Sequence, residues 1–294
     1  MELRVLQYFL AVAREQSVSG AAEYLHLSQP TLSRQLKDLE EEFGKQLFIR
    51  GNRKITLTEE GMILRKRAEE IMDLVQKTEQ EITSNDEIVV GDIHIGAGET
   101  DAIRILAKAA RQLQKKHPGI RIHIASGDSV NVTEELDKGL IDFGILFDPK
   151  DLSKYNHLKI PKKDTWGVLM LKDAPLAQKE AVRPEDLWDK PLILSRQHRD
   201  GSALSIWLNK SETDLNIVAT YNLLYNGSIL VSEGIGYAIT LDKIINTQGS
   251  NLCFRPLTPS LQAGLCIVWK KYQVFTKAAQ LFLQALQENL SPDS

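Results

Sequence analysis

The sequence of 294 residues predicts a helical N-terminal part followed by an α/β part with a mostly parallel sheet. Three features predict this division. Residues 1 to about 84 keep a helical spacing of apolar residues, short β-branched runs begin at Ile88, and these runs then alternate with helical stretches. The boundary is expected at residues 84–86, and at roughly 150 residues per domain the length agrees with two domains.

Composition excludes several classes of protein. Apolar residues make up 43% of the chain and charged residues 26%, which argues against a disordered or fibrous chain. The net charge of −3 disfavours a general polyanion binder but leaves room for a local basic patch. No apolar run is long enough to cross a bilayer, and Glu2 offsets Arg4 where a secretory signal would be basic. Two cysteines, Cys253 and Cys266, make no disulfide framework, so we expect a cytoplasmic protein.

The first three predicted helices have the order and turn chemistry of a helix-turn-helix. Residues 3–13 form the first helix, Ser19 is expected to cap the second, and Ser28 is expected to cap the third, with Pro30 just inside its start. The third helix has an apolar stripe at spacings of four and three residues, formed by Leu32, Leu36 and Leu39. Its opposite face is polar and basic, as in a helix that enters the major groove of DNA.

A basic segment follows the third helix. Residues 43–58 contain no acidic side chain but four cations, Lys45, Arg50, Arg53 and Lys54. Gly51 and Asn52 are expected to form a tight turn between two short strands at residues 49–50 and 54–57. This pattern predicts a basic β-wing beside the recognition helix. The alternative is a small helical domain with solvated charges, and the occurrence of helix and wing in this order favours DNA binding.

The chemistry of the exposed face assigns roles to its side chains. Arg34 is expected to read guanine and Gln29 or Gln35 adenine, while hydroxyl groups and wing cations bind phosphates. The predicted DNA-binding residues are Ser28, Gln29, Pro30, Thr31, Ser33, Arg34, Gln35, Lys37, Arg50, Arg53 and Lys54.

A long helix is predicted from Thr58, its cap, to about Thr83. Apolar residues recur along it at alternating spacings of four and three residues, which is the pattern of a coiled-coil seam. Two helix-turn-helix units need a two-fold partner to read a palindromic site, so this seam predicts dimerisation. A helix packed on its own domain is the alternative. The predicted dimerisation residues are Leu64, Ala68, Ile71, Val75 and Ile82.

The remaining 200 or so residues repeat an α/β theme twice, which predicts two lobes with a cleft between them. The predicted strands are residues 88–95, 120–125, 141–146, 166–171, 192–194, 217–220, 236–239 and 265–269. The predicted helices are residues 103–116, 132–138, 202–209, 228–233 and 275–289.

Several of these segments resemble the LysR-type transcriptional regulators. Residues 21–40, AAEYLHLSQPTLSRQLKDLE, resemble the helix-turn-helix of that family. Residues 43–50 and 57–61 resemble its wing and the start of its linker, and residues 136–145 resemble a regular segment of its effector-binding region. The resemblance covers the whole chain, and the DNA-binding part shows no clear departure from the family pattern.

The resemblance implies a winged helix-turn-helix at residues 1–58, a dimerising linker helix at 59–84 and an effector-binding domain of the periplasmic-binding-protein type at 88–294. Within that domain it implies one lobe at about 88–161 and 266–294 and a second at about 162–265. It also implies a sequence-specific regulator that binds double-stranded DNA at an imperfect palindrome and responds to a small inducer. Such proteins form dimers and usually tetramers, and contact with RNA polymerase is compatible with this role.

An enzyme is the main alternative from another class. Residues 96–101, GAGETD, nearly match the dinucleotide fingerprint, but Asp101 stands where the third glycine would be and would repel a pyrophosphate. The sequence contains no HExxH, GxSxG or P-loop motif, so we expect neither an enzyme nor a metal or cofactor. A structural DNA-binding protein whose lobes only assemble the oligomer is the other alternative.

The resemblance also places an effector pocket between the lobes. The acids at one rim disfavour a polyanionic effector and suit one that carries an amine or hydroxyls, unless these acids are helix caps. The predicted effector-binding residues are Glu99, Thr100, Asp101, Ser126, Gly127, Asp128, Phe147, Ser195 and Ser202.

Overall fold

The structure, a computed structural model, describes residues 1–51, 54–83, 89–197 and 201–290, without the side chains of Arg50, Gln80, Glu81 and Thr83. The chain divides into an N-terminal unit, Met1–Ser84, and a C-terminal unit, Asn85–Ser294. No helix in the described ranges is both long and apolar enough to cross a membrane.

The N-terminal unit consists of helices with one small β-hairpin. Its elements are α1 (Leu3–Glu15), α2 (Val18–Tyr24), α3 (Gln29–Phe43), β1 (Phe48–Arg50), β2 (Ile55–Leu57) and α4 (Glu59–Thr83). Strands β1 and β2 pair antiparallel, with Phe48 opposite Leu57. The predicted stripe of α3 is buried and packs against Phe9 of α1, which forms the centre of the unit.

Local capping fixes where these helices begin. The Ser28 hydroxyl accepts a hydrogen bond from the Thr31 N–H at 3.3 Å, so Ser28 caps α3 as predicted. The prediction for α2 was wrong, because Ser17 rather than Ser19 is the cap. The Ser17 hydroxyl accepts from the Gly20 N–H at 3.2 Å, and the helix begins at Val18, which places Ser19 inside the first turn.

The predicted seam residues on helix α4 fall into two groups, one packed on the core of the N-terminal unit and one more exposed. Ala68 is fully buried in the core of its own unit, and Leu64 and Ile71 pack against that core. Val75 is half-buried, whereas Ile82 is 79% exposed. Ala68 therefore offers no surface to a second chain, and its assignment to the dimer seam was wrong. In its first half the helix packs on its own domain, which is the alternative that the sequence left open.

The C-terminal unit is an α/β structure built on one continuous sheet. Its strands are β3 (Gly91–Ala97), β4 (Ile120–Ser126), β5 (Phe143–Phe147), β6 (Tyr155–Leu171), β7 (Leu192–Ser195), β8 (Ile217–Tyr221), β9 (Tyr237–Leu241), β10 (Leu252–Pro256) and β11 (Gln262–Lys270). Its helices are α5 (Ile103–Lys116), α6 (Ser129–Lys138), α7 (Ala203–Leu208), α8 (Leu224–Ser232) and α9 (Lys277–Leu290).

The order of strands in the sheet is β4-β3-β5-β11-β6-β9-β7-β8, and β10 also pairs with β6. Strand β3 is parallel to β4 and β5, and β7 is parallel to β8 and β9. The central strands β6 and β11 run antiparallel to their neighbours. The sheet is therefore mixed, and the predicted parallel pairing holds only in its two outer groups. We call β3–β5 with α5 and α6 the first lobe, and β7–β9 with α7 and α8 the second.

Two strands differ from the prediction. Strand β6 begins at Tyr155, eleven residues before the predicted start, and its first half is largely exposed and charged, which hid the β pattern. Strand β10 was missed, because it is short and lies on one side of β6. The long β6 and β11 link the two lobes, so the loops that end the outer strands face each other.

Candidate DNA-binding interface and effector cleft

Helix α3 presents its polar side chains away from the core. Arg34 is 83% exposed on its side chain, and its Nε lies 4.0 Å from the Asp38 carboxylate. The Lys37 ammonium lies 3.1 Å from Glu41 one turn further on. These pairs lie on the helix surface, where such interactions are weak and leave the cations available to DNA. The other exposed predicted residues of this face are Ser28, Gln29, Pro30 and Thr31, whereas Ser33 and Gln35 are half-buried.

Lys54 is the predicted wing contact whose side chain the structure describes. Lys54 is exposed and precedes β2, and its carbonyl accepts a hydrogen bond from the Gly51 N–H at 3.1 Å. This bond closes the hairpin on the side of the predicted turn. Two predicted wing contacts, Arg53 and the side chain of Arg50, lie outside the described residues.

A cavity of about 440 Å³ opens where the two lobes meet. Its walls include the loop after β3, the first turns of α5, the end of β4 and the segment after β9. Four predicted effector-binding residues line it: Glu99, Thr100, Asp101 and Ser126. The second lobe contributes Lys243 and Ile244, which the sequence analysis missed because they follow a strand far along the chain.

Thr100 connects the start of α5 to a buried acid. Its hydroxyl donates a hydrogen bond to the Asp164 carboxylate and accepts one from the Ala102 N–H at 3.0 Å. Asp164 lies on β6 and is only 5% exposed. Burial raises the pKa of Asp164 above its usual range, since water no longer stabilises the charged form. Asp164 was missed in the sequence, because 64 residues separate it from Thr100.

Asp101 is neutralised within the protein. Its two carboxylate oxygens lie 2.6 Å from the Lys162 ammonium and 2.6 Å from the Arg104 guanidinium. Hydrogen bonds from Lys162 and then Arg104 lower the pKa of Asp101, so it is ionised at neutral pH. Asp101 is thus part of an ion-pair network at the start of α5.

Asp128 joins the lobes through Arg196. One oxygen accepts the Asn131 N–H at 3.0 Å and caps α6, while the other accepts the Arg196 Nε at 2.9 Å and Nη2 at 2.5 Å. Burial alone would raise the pKa of Asp128, but the hydrogen bonds from Asn131 and Arg196 outweigh it and hold that pKa below its usual range. The Gln197 amide oxygen also accepts the Ser129 N–H at 3.3 Å.

Glu99 makes a second bridge between the lobes. Its carboxylate accepts a hydrogen bond from the backbone N–H of Leu224, the first residue of α8. The rim acids therefore act within the protein, Asp128 as the helix cap that the sequence analysis kept as an alternative.

The other predicted effector residues have structural partners. Phe147 packs close to Gly98, where an added Cβ would lie 2.7 Å from its ring. The Gly127 N–H donates to the Ala97 carbonyl at 3.0 Å. The Ser195 hydroxyl accepts from the Gln197 N–H at 3.3 Å, and Ser202 caps α7. None of these four lines the cavity among the described residues. Within the same ranges, no group of three His, Cys, Asp or Glu side chains is arranged to hold a metal ion.

Comparison with known proteins agrees with this architecture. Residues 3–62 match the family model of the bacterial regulatory helix-turn-helix protein, lysR family, and residues 88–291 match the LysR substrate binding domain. The fold and the exposed recognition helix define a DNA-binding transcriptional regulator. The chain belongs to the LysR family of these regulators.

Relatives extend over nearly the whole chain. The Hca operon transcriptional activator HcaR of Escherichia coli is 27% identical over 297 residues, which cover 99% of each chain. The uncharacterized HTH-type transcriptional regulator YvbU of Bacillus subtilis is 26% identical over 292 residues, which cover 98% of each. These relatives are transcriptional regulators and not enzymes.

Solved structures show the same fold. The LysR family regulator CbnR superposes with a TM-score of 0.76 at 18% identity, covering 99% of this chain and 100% of that one. Full-length CbnR in complex with its target DNA gives a TM-score of 0.75 at 19% identity, covering 98% and 100%. LysR regulators bind operator DNA and small effectors and form oligomers.

Proposed function

We propose that this regulator is controlled by a small molecule that binds between the two lobes of residues 88–294. The observation that carries this proposal is the cavity of about 440 Å³ at the start of α5, lined from the second lobe by Lys243 and Ile244. Its volume lies within the range of roughly 300–1,000 Å³ typical of ligand sites. The proposal includes the domain limits at residues 58 and 84 and the limits of the two lobes. It also includes the nine predicted effector-binding residues, four of which line the cavity.

DNA is read by a dimer in this scheme. Two copies of the exposed α3 face enter successive major grooves of an imperfect palindrome, and wing cations such as Lys54 hold phosphates. The exposed half of α4, which includes Ile82, supplies dimer contacts. Tetramers and contact with RNA polymerase follow from the family role, and the protein acts in the cytoplasm, where bacterial DNA lies.

The effector acts through the contacts that join the lobes. Glu99, which lines the cavity, meets the start of α8, and Asp128, two residues after the lining residue Ser126, meets Arg196. A ligand that enters there changes the free energy of these contacts and so shifts the balance between lobe arrangements. In a dimer this shift is coupled to the spacing of the two recognition helices and thus to affinity for DNA.

The names of the relatives indicate different signals, such as hydrogen peroxide for the activator of Pectobacterium carotovorum, so the effector is inferred from the cleft. Thr100 and Ser126 provide hydroxyl groups, and Glu99 provides a carboxylate. The lining also holds two cations, Arg104 and Lys243, against the two acids Glu99 and Asp101, so these groups suit a small ligand that carries hydroxyls and leave the sign of its charge to the experiment.

A footprint of the purified full-length protein on fragmented genomic DNA tests this function. We expect a few strong sites with imperfect two-fold symmetry, and a metabolite extract should change their occupancy. The active fraction should raise the melting temperature, since a ligand at 100 times its Kd adds about 2.7 kcal/mol. Thr100→Val should reduce that rise, while Thr213→Val, an exposed control in the second lobe, should not.

Two results would contradict parts of the proposal. Diffuse, salt-sensitive occupancy with no shared motif, with and without extract, would remove sequence-specific regulation. Strong sites that no extract fraction affects, together with an unchanged melting temperature, would favour a DNA-binding protein whose lobes only assemble the oligomer.

A further inference from the structure

A carboxylate at the end of the recognition helix binds the backbone of the wing. Glu40 lies in α3, and its Oε1 accepts hydrogen bonds from the N–H groups of Leu47 at 2.7 Å and Phe48 at 3.2 Å. Leu47 and Phe48 are buried, so water does not readily replace this acceptor. One side chain thus satisfies two successive donors where β1 begins.

The same backbone segment is also bonded by Thr58, the residue before α4. The Thr58 hydroxyl donates to the Gln46 carbonyl at 2.8 Å and accepts the Gly61 N–H at 3.0 Å, while the Thr58 N–H donates to the Leu47 carbonyl at 3.1 Å. A Cβ added to Gly61 would lie 2.2 Å from the Leu47 carbonyl oxygen, so glycine is required for this close approach. We call residues 46–48 the wing root.

We propose that Glu40 is a positioning residue for DNA binding, which fixes the wing root to the recognition helix and so places the wing cation Lys54 on a phosphate. The wing root leads into β1, which pairs with β2, and Lys54 immediately precedes β2. Without the Glu40 acceptor, the root loses its side-chain hydrogen bonds to α3 but keeps its bonds to Thr58 and the packing of Phe48 on Phe9 of α1. The wing is then held to α1 and α4 and no longer directly to the helix that reads the bases, so its cation shifts relative to that helix.

The sign of the effect separates this role from simple electrostatics. DNA repels a carboxylate, so removal of an acidic side chain from α3 should by charge alone strengthen binding to any duplex. Loss of the wing position should weaken it. Glu42 provides the matched control, because it lies on the same helix, is exposed, and pairs with the N-terminal ammonium at 2.7 Å and with no wing residue that the structure describes.

The test measures binding of the full-length protein to a random-sequence duplex over a range of salt concentrations. We expect Glu40→Ala to weaken binding about tenfold and to reduce the salt slope by about one, as if one phosphate contact were lost. Glu40→Gln should remain within about threefold of the original protein, since its amide oxygen still accepts both bonds. Glu42→Ala should bind equally well or more tightly.

A double-mutant cycle with Lys54 adds a readout that a merely structural role would not change. Lys54→Ala should reduce the salt slope in the original protein and change it little in the Glu40→Ala background, because the wing is already displaced. Circular dichroism checks that each variant is folded. If Glu40→Ala does not fold, Glu40→Asp replaces it, since the shorter carboxylate keeps the charge but not the reach.

Three outcomes would overturn the proposal. One is an unchanged salt slope in folded Glu40→Ala, or in Glu40→Asp. Another is a Glu40→Gln variant as weak as Glu40→Ala, which would show that charge and not acceptor geometry matters. The third is full additivity with Lys54→Ala, which would show that the wing stays in place. Failure of the original protein to bind the duplex would instead count against DNA binding itself.

Discussion

The carboxylate of Asp128 in the first lobe accepts two hydrogen bonds from the guanidinium of Arg196 in the second, at 2.9 and 2.5 Å. The two residues are 68 positions apart, so only the folded chain brings them together. Asp128 is 6% exposed, whereas the Arg196 side chain is largely open to water on its outer side. The buried Asp128 carboxylate therefore depends on Arg196 for a charged partner, whereas water can bind the exposed side of the Arg196 guanidinium.

Replacement of Arg196 by alanine should reduce the free energy of unfolding of the C-terminal unit. The buried carboxylate of Asp128 would lose its charged partner, and we expect a loss of about 1–2 kcal/mol, because solvent reaches the vacated space. Urea denaturation measures it. Lys190→Ala is the control, since its partner Asp189 is exposed and the loss should be clearly smaller. Equal losses in the two variants would contradict the special role of this bridge.

Asp164→Asn should change how stability depends on pH. Burial raises the folded-state pKa of Asp164, so this group stabilises the fold below the unfolded pKa near 3.9, and that contribution is lost as pH rises through the folded pKa. The asparagine does not ionise and can still accept the Thr100 hydrogen bond. The variant should therefore gain stability relative to the original protein as pH rises from about 3 to about 7.

Thermal melts of both proteins across that pH range measure the difference. The exposed Asp189 provides the control, because the pKa of Asp189 is lowered by the Lys190 hydrogen bond and Asp189→Asn should show no such gain. A difference for Asp164→Asn that does not change with pH would exclude this titration as a source of instability.

Arg34→Ala should weaken binding to the operator by roughly 1–3 kcal/mol and relax specificity at one base pair. The physical reason is the loss of a bidentate donor to guanine, since Arg34 is exposed and contributes nothing to the core. Competition between the operator and variants at each base pair measures this. Arg111→Ala, exposed on α5, is the control. Equal loss on operator and random DNA would assign Arg34 to a phosphate contact.

Ile82→Asp should weaken the dimer and leave the fold intact, because this side chain is exposed in the single chain. We expect at least a tenfold rise in the dimer dissociation constant, the equivalent of about 1.4 kcal/mol, by sedimentation equilibrium. Ala68→Asp should instead unfold the N-terminal unit, because it buries a charge in the core. A dimer unaffected by Ile82→Asp would place the interface elsewhere.

Periodicity predicts elements whose faces differ strongly in polarity. The stripe of α3 was visible in the sequence, because its buried residues recur at helical spacing, and the apolar residues of α4 recur in the same way. Strand β6 was only half recognised, since its exposed first half carries charges on both sides of the pleat. The spacing of apolar residues also does not show whether α4 packs on its own unit or on a second chain. The structure places Ala68 against the core of its own unit.

The sequence by itself determined the order of domains, the exposed polar face of α3 and the basic composition of the wing, because these depend on neighbours within one or two turns of chain. Only the tertiary structure decided what the acids do. Glu40 binds the wing root, Asp128 binds Arg196, and Asp164 is buried against Thr100. The sequence shows only that each residue is a carboxylate, and the role of that carboxylate depends on the donors that folding brings within about 3 Å.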